Sequence, residues 1–199
     1  LILNNKRGFG VKNKRKKLIM WQKISKIILQ FSGWKITNII PDIPKCVLAI
    51  APHTSNWDFL IAKLAYTSLG RNAHFLIKKE WFFFPFNLFF KSIGGIPVDR
   101  SKKQSMTDIM AEEFGKRDRF QIAITPEGTR KRVTEWKRGF YYIADKAQVP
   151  IVLIGLDYKN KIISFLDVFT PTGHVEEDML TIQSRYKGLS GKNPDNFSS

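Results

Sequence analysis

The chain has 199 residues, 43% of them hydrophobic, which suffices for one domain with a substantial core and excludes disorder throughout. Its 33 lysines and arginines outnumber 17 acidic residues, and the net charge of +16 indicates a polyanionic partner: an anionic membrane, a phosphorylated ligand or a nucleic acid. The single cysteine, Cys46, excludes a disulfide within the chain.

The N-terminal part of the chain is basic and then amphipathic. Residues 1–17 are polar, basic and glycine-containing, and we expect them to be disordered. We place an amphipathic helix over residues 18–36, because apolar side chains from Met20 to Phe31 recur at spacings of three and four. Its basic polar face suits the surface of an anionic membrane. The alternative, in which the apolar face packs on the protein's own core, remains open.

The body of the chain, residues 37–175, alternates apolar runs with helical patterns. Runs such as V-L-A-I-A and I-V-L-I-G are typical of strands buried on both faces. The alternation predicts an α/β fold with a largely parallel central sheet flanked by helices. The predicted strands are residues 46–51, 74–77, 96–98, 120–125, 151–156 and 162–169, and the predicted helices are residues 57–69, 83–92, 104–116 and 139–147. Residues 176–199 are expected to form a polar C-terminal tail that frays.

Two polar turns directly follow predicted strands. A-P-H-T-S-N-W-D covers residues 51–58, and T-P-E-G-T-R covers residues 125–130. In open α/β sheets, ligands bind at the carboxyl ends of the strands, so both turns open onto the same edge. The sequence therefore predicts that they share one site.

The first turn contains a histidine and an aspartate that can meet only in one way. On a continuous helix, His53 and Asp58 would differ by roughly 140° and face apart. They meet if His53 lies on the turn and Asp58 in the first helical turn, where Asp58 would orient a general base. The alternative is a capping box from Ser55 to Asp58, which explains Asp58 without catalysis but leaves His53 unexplained.

The second turn offers groups that suit a phosphorylated ligand: a carboxylate, backbone amides, a hydroxyl and a guanidinium. They belong to Glu127, Gly128, Thr129 and Arg130. The stretch G-G-I-P-V-D-R, residues 94–100, adds Arg100 after another predicted strand. The alternatives are an ordinary Pro/Gly turn and a surface arginine paired with Asp99.

Together these stretches resemble the four sequence blocks of the glycerolipid acyltransferases of the H-x4-D type, typified by bacterial 1-acyl-sn-glycerol-3-phosphate acyltransferases. H-T-S-N-W-D is similar to the first block, G-G-I-P-V-D-R to the second, T-P-E-G-T-R to the third and V-P-I-V, residues 149–152, to the fourth. All four occur in the family order.

The resemblance implies transfer of a fatty acyl group from acyl-CoA or acyl-carrier protein to a lysophospholipid hydroxyl, most simply 1-acylglycerol-3-phosphate, giving phosphatidic acid. His53 would be the general base and Asp58 would orient it. The residues that would bind substrate are Arg100, Glu127, Gly128, Thr129, Arg130 and Lys78. We expect no metal, no cofactor besides the thioester co-substrate, and a peripheral or monotopic position on the cytoplasmic face of a membrane.

Other interpretations of the sequence remain open. The same chemistry could act on a different lipid hydroxyl, such as that of an amino-acid-linked lysolipid. The basic charge could also indicate a non-catalytic membrane-binding or nucleic-acid-binding protein, although no nucleic acid is expected, because the sequence contains no recognised binding motif. The aromatic stretch at residues 80–90 could lie in the core, line an acyl channel or enter a membrane.

Overall fold

The described residues of the chain, 3–39, 42–98 and 105–197 in a computed structural model, form seven strands and six α-helices besides two short 3-10 turns. The strands are β1 (Lys35–Thr37), β2 (Lys45–Ala51), β3 (His74–Lys78), β4 (Gly95–Val98), β5 (Phe120–Ile124), β6 (Ile151–Asp157) and β7 (Ile162–Phe169). The helices are α1 (Leu3–Phe31), α2 (Trp57–Ser68), α3 (Phe86–Ser92), α4 (Met106–Lys116), α5 (Gly139–Ala147) and α6 (Val175–Ser184).

The strands form one sheet in the order β1-β7-β6-β2-β5-β3-β4. Every neighbouring pair is parallel except β6 and β7, which run antiparallel. This arrangement confirms the predicted α/β fold with a largely parallel sheet. Strand β2 lies at the centre, where Val47 pairs with Ile122 of β5 and with Ile151 of β6. Because β2 and β5 are adjacent and parallel, the loops that follow them leave the same edge of the sheet.

Helices cover both faces of the sheet, as the continuous apolar runs predicted. Val47 and Ala49 contribute to a core with α4, α5 and α6, whereas Leu48 contributes to a second core with α1 and α2. All seven residues of β6 are buried. A strand whose successive side chains enter opposite cores has no polar face, which explains why its sequence does not alternate.

Helix α1 differs from the prediction in its extent and in the direction of its apolar face. It begins at Leu3, so most of the segment expected to be disordered is helical. It ends at Phe31, where Gly33 adopts a φ of +79° and the Trp34 amide bonds to the Leu29 carbonyl at 2.9 Å. Leu29 is buried on the side packed against α2, but the predicted apolar face is mostly exposed. Its exposed members are Met20, Trp21, Ile27, Ile28 and Phe31.

The segment expected to be a polar tail is largely ordered structure. It contains α6, and Ile182 and Tyr186 are fully buried. The Tyr186 hydroxyl donates a hydrogen bond to the Ala49 carbonyl of β2 at 2.8 Å. The sequence obscures this role because Met179, Ile182 and Tyr186 give only a narrow apolar stripe among polar residues. Among the described helices, none is long and apolar enough to cross a bilayer.

Candidate active site

The structure brings His53 and Asp58 together. His53 lies on the loop after β2, and Asp58 is the second residue of α2. His53 Nδ1 is 3.2 Å from Asp58 Oδ2, which also accepts the backbone N–H groups of Thr54 at 2.7 Å and Ser55 at 2.8 Å. Within the described residues, Nδ1 makes no well-aligned hydrogen bond, so its contact with Asp58 is mainly electrostatic.

The same loop caps helix α2. The Ser55 hydroxyl accepts the Trp57 N–H at 3.2 Å, while the Asp58 carboxylate reaches back to the Ser55 N–H. These reciprocal bonds follow the logic of a capping box. The capping interpretation and the histidine–aspartate pair therefore describe one structure, in which the cap holds Asp58 beside His53.

Asp58 is an ionised carboxylate inside the protein. Asp58 is only 2% exposed, and burial alone would raise the pKa of its carboxyl group. Contacts from His53, the Tyr158 hydroxyl and the amides of Ser55 and Thr54 outweigh burial and hold the pKa of Asp58 below its ordinary value. Asp58 thus keeps its negative charge next to the imidazole.

Glu127 supports the His53 loop from the loop that follows the neighbouring strand β5. Its Oε1 accepts the backbone N–H of His53 at 2.7 Å, and the residue is 2% exposed. Burial raises the pKa of Glu127, and within the described residues its Oε2 has no hydrogen-bond partner. The Glu127 carboxylate thus contacts the His53 loop, and its contact with a substrate stays a prediction.

Of the three predicted residues after Glu127, Gly128 lines a cavity next to His53. Gly128 has a φ of +66°, and a Cβ there would lie 3.0 Å from the Lys137 Cγ, so both backbone and space favour glycine. Thr129 is half-buried and Arg130 is exposed. An Arg130 guanidinium nitrogen donates to the Asn56 side-chain oxygen, which connects the two predicted loops.

One of the predicted substrate-binding residues, Lys78, does not lie at the cavity next to His53. Lys78 is exposed at the end of β3, a strand separated from β2 by β5, and is not among the described residues that line the cavity next to His53. Arg100 lies outside the described residues.

A cavity of about 630 Å³ opens beside the pair, between α2 and the sheet. His53, Asp58 and Gly128 line one part of it. The rest of the lining is mainly apolar, with several small side chains that leave the space open. These apolar residues include Leu48, Ala62, Ala65, Phe75, Ala123 and Ile154.

Lys63 is the one ammonium group among the described residues that line this cavity. Its Nζ donates to the Asn72 side-chain oxygen at 2.6 Å and to the Ile93 carbonyl at 2.8 Å. Burial lowers the pKa of Lys63 to about 8. These acceptors turn the ammonium toward the loop around Asn72, so Lys63 ties α2 to the β3–β4 region.

The buried thiol of Cys46 is a poor candidate nucleophile. It is 1% exposed, and burial raises its pKa to about 12, so it remains protonated. Among the described residues, no group of three or more His, Cys, Asp or Glu side chains is placed to hold a metal ion.

The histidine–aspartate pair thus lies at the carboxyl edge of an α/β sheet, beside a largely apolar cavity. The family model described as Acyltransferase matches residues 36–156, so the chain belongs to the acyltransferase family. Among solved structures, the chain is similar to the 1-acyl-sn-glycerophosphate (LPA) acyltransferase PlsC from Thermotoga maritima. The TM-score is 0.59 and the identity 17%, covering 87% of this chain and 81% of that one. No curated protein sequence matches the chain significantly.

Sequence reasoning missed two parts of the site. The first is Tyr158, which directly follows β6 and whose hydroxyl donates a hydrogen bond to the Asp58 carboxylate. Its position after a buried strand was the one feature of the sequence that could have indicated a place in the site. The second is a C-terminal strap, residues 189–193. Its Asn193 side chain donates to the Thr54 carbonyl at 2.8 Å and its backbone N–H to the Thr54 hydroxyl at 3.1 Å. No local pattern indicates this contact, because 139 residues separate the partners.

Proposed function

We propose that this acyltransferase moves a fatty acyl group from acyl-CoA or acyl-carrier protein to the hydroxyl of a lysophospholipid. The favoured acceptor is 1-acylglycerol-3-phosphate, which would give phosphatidic acid. The observation that carries the proposal is the position of His53, whose ring lies between the ionised Asp58 and a largely apolar cavity of about 630 Å³. A volume of this size suits a long, flexible apolar group.

The proposed chemistry is direct transfer of the acyl group from the thioester to the acceptor hydroxyl, which gives an oxygen ester and a free thiol. Because Nδ1 of His53 faces Asp58, Nε2 is the nitrogen left to accept the proton of the acceptor hydroxyl. The hydroxyl oxygen attacks the thioester carbonyl carbon, and collapse of the intermediate breaks the carbon–sulfur bond. The departing thiolate takes the proton from His53, so the enzyme returns to its starting state. Asp58 stabilises the imidazolium that forms between these steps.

The phosphate of the acceptor would bind at the opening formed by the T-P-E-G-T-R loop. Arg130 is exposed there and is held by Asn56, whose side chain also lines the cavity. A guanidinium binds phosphate with two parallel hydrogen bonds. Thr129 and the Gly128 backbone are further candidates, and Arg100 and Lys78 stay predictions from the sequence.

A direct test offers the purified full chain acyl-CoA and acyl-carrier protein donors with several lysolipids. We expect acylation of 1-acylglycerol-3-phosphate, and His53→Ala should lose roughly 10²- to 10⁴-fold in kcat. His174→Ala, which changes an exposed histidine far from the sheet edge, is the matched control. The proposal fails if no acceptor is acylated or if His53→Ala keeps full activity. Preference for another lysolipid would correct the acceptor alone.

We further propose that the outward face of α1 binds an anionic membrane from the cytoplasmic side. Trp21 is 48% exposed and Phe31 is 90% exposed, and exposed lysines at 16, 17, 23 and 26 adjoin them. Apolar side chains flanked by lysines favour an interface with anionic lipid. The aromatic segment around α3 is also exposed, with Phe84 at 77%.

Vesicle co-sedimentation tests this membrane contact. Phe31→Glu should weaken binding to vesicles with anionic phospholipid, because it places a charge on the apolar face. Gln30→Glu makes the same charge change at a neighbouring exposed polar position and should retain most of the binding. Equal binding by Phe31→Glu and the wild type would contradict the proposal.

A further inference from the structure

Tyr158 occupies a place that the family match does not cover. The match ends at residue 156, two residues before Tyr158, which directly follows β6. Strand β6 lies beside β2, with Ala51 paired to Gly155, so the residue after β6 reaches the edge that carries His53.

The Tyr158 hydroxyl donates a hydrogen bond to Asp58 Oδ1 at 2.5 Å. The other carboxylate oxygen, Oδ2, already serves the Thr54 and Ser55 amides and faces His53. Each oxygen of Asp58 therefore has its own partners. Without the phenol, Oδ1 would be an unpaired oxygen on a carboxylate that is 2% exposed.

The phenol is itself held in place from two sides. Its ring packs edge-on against Trp34, with the centroids 4.9 Å apart and the planes at 89°. Its backbone N–H donates to the Ser190 carbonyl in the C-terminal strap at 2.8 Å. Burial and the bond to Asp58 raise the pKa of Tyr158 far above its ordinary value, so the hydroxyl stays protonated and acts as a donor.

From these contacts we infer that Tyr158 is a positioning residue for the acyl transfer, acting on His53 through Asp58. Its hydroxyl fixes the rotation of the carboxylate and shares its negative charge. Tyr158 is not among the described residues that line the cavity, so direct contact with the acyl group is not part of this role. The inference rests on the proposed function, because it concerns the same histidine.

Tyr158→Phe removes only the hydroxyl. We expect kcat to fall roughly ten-fold, because the Asp58 carboxylate can then rotate and no longer holds the imidazole in one orientation, while KM for both substrates changes little. The acid-side midpoint of the kcat–pH profile should move to higher pH, because more of the Asp58 charge then attracts the imidazole proton. A structural role alone would lower the melting temperature without moving this midpoint.

Tyr141→Phe is the matched control. Tyr141 is buried and donates to the carboxylate of Asp178 at 2.6 Å, in the core on the other face of the sheet. The Tyr141→Phe variant should be less stable than the wild type, as Tyr158→Phe is, but should keep the wild-type kcat and pH profile.

A double-mutant cycle tests whether Tyr158 acts through Asp58. Adding Tyr158→Phe to Asp58→Asn should cause no further loss of kcat, because the partner is already altered. An additive loss, an effect on KM alone, or a loss equal to that of Tyr141→Phe would overturn the assignment of Tyr158. A wild type that transfers no acyl group to any acceptor would instead overturn the proposed function, and the assignment with it.

Discussion

Replacement of Asp58 by asparagine separates the charge of the carboxylate from its role in holding the loop. The asparagine oxygen can still accept the Thr54 and Ser55 amides, and its NH₂ group can donate to the Tyr158 oxygen. The shape and most of the hydrogen bonds are therefore kept. What is lost is the negative charge 3.2 Å from His53 Nδ1.

The size of the effect follows from this distance. A full charge pair at this separation is worth about 5 kcal/mol at an effective dielectric constant of about 20. Since 20% of the His53 side chain is exposed and water screens the pair, we take roughly half of that value. A loss of about 2.5 to 3 kcal/mol in the transition state predicts a kcat roughly 100-fold lower for Asp58→Asn.

The assay is steady-state release of the thiol product from acyl-CoA with 1-acylglycerol-3-phosphate, together with thermal unfolding of each variant. Asp178→Asn is the matched control, because Asp178 is 5% exposed and accepts the Tyr141 hydroxyl and the Thr172 amide far from His53. We expect similar melting temperatures for the two variants but a loss of kcat only for Asp58→Asn. If Asp58→Asn keeps more than about a third of wild-type kcat, the charge argument is refuted.

Three further predictions concern stability, chain length and the strap. Burial raises the pKa of Glu127 above its ordinary 4.5. The protonated carboxyl therefore contributes fully to the free energy of unfolding below pH 4.5, and this contribution is lost as the pH rises through the raised pKa. Glu127→Gln should therefore raise the melting temperature relative to wild type at pH 8 but not at pH 4, by about 2–4 °C for each kcal/mol. Ala65→Phe places a ring in the cavity and should lower kcat/KM for long-chain donors more than for short-chain donors in competition assays. Gly191→Ala should reduce kcat roughly ten-fold or more, because its Cβ would lie 2.7 Å from the Thr54 side chain and displace the His53 loop.

Each of these predictions has its own control. A pH-independent difference between Glu127→Gln and the wild type would contradict the buried-charge argument. The ratio of long-chain to short-chain activity corrects for any general loss in Ala65→Phe, and an unchanged ratio would place the acyl chain elsewhere. Gly115→Ala, in α4 with nothing within 4 Å of the new Cβ, should retain wild-type kcat, and a Gly191→Ala enzyme of equal activity would refute a positioning role for the strap.

The sequence by itself determined six of the seven strands and the meeting of His53 with Asp58, whereas β1 was not predicted. Buried strands need continuous apolar runs, and such runs are visible in the local sequence. The approach of the pair also follows from local rules, because only a turn followed by a helix start lets residues of this spacing meet. The convergence of the two polar loops required one further rule, that ligand loops follow the carboxyl ends of parallel strands.

Only the tertiary structure decided which side chains are buried and which groups they contact. The spacing in α1 predicts an apolar face, but not that Phe31 would stay exposed while Leu29 enters the core. The sequence suggests that the Glu127 carboxylate binds a ligand, yet the pairing of β2 with β5 buries this carboxylate against the His53 backbone. Tyr158 lies 100 residues from Asp58, and the contact exists only because β6 and β2 are neighbours in the sheet. Contacts of this range depend on strand order, for which the local sequence carries no signal.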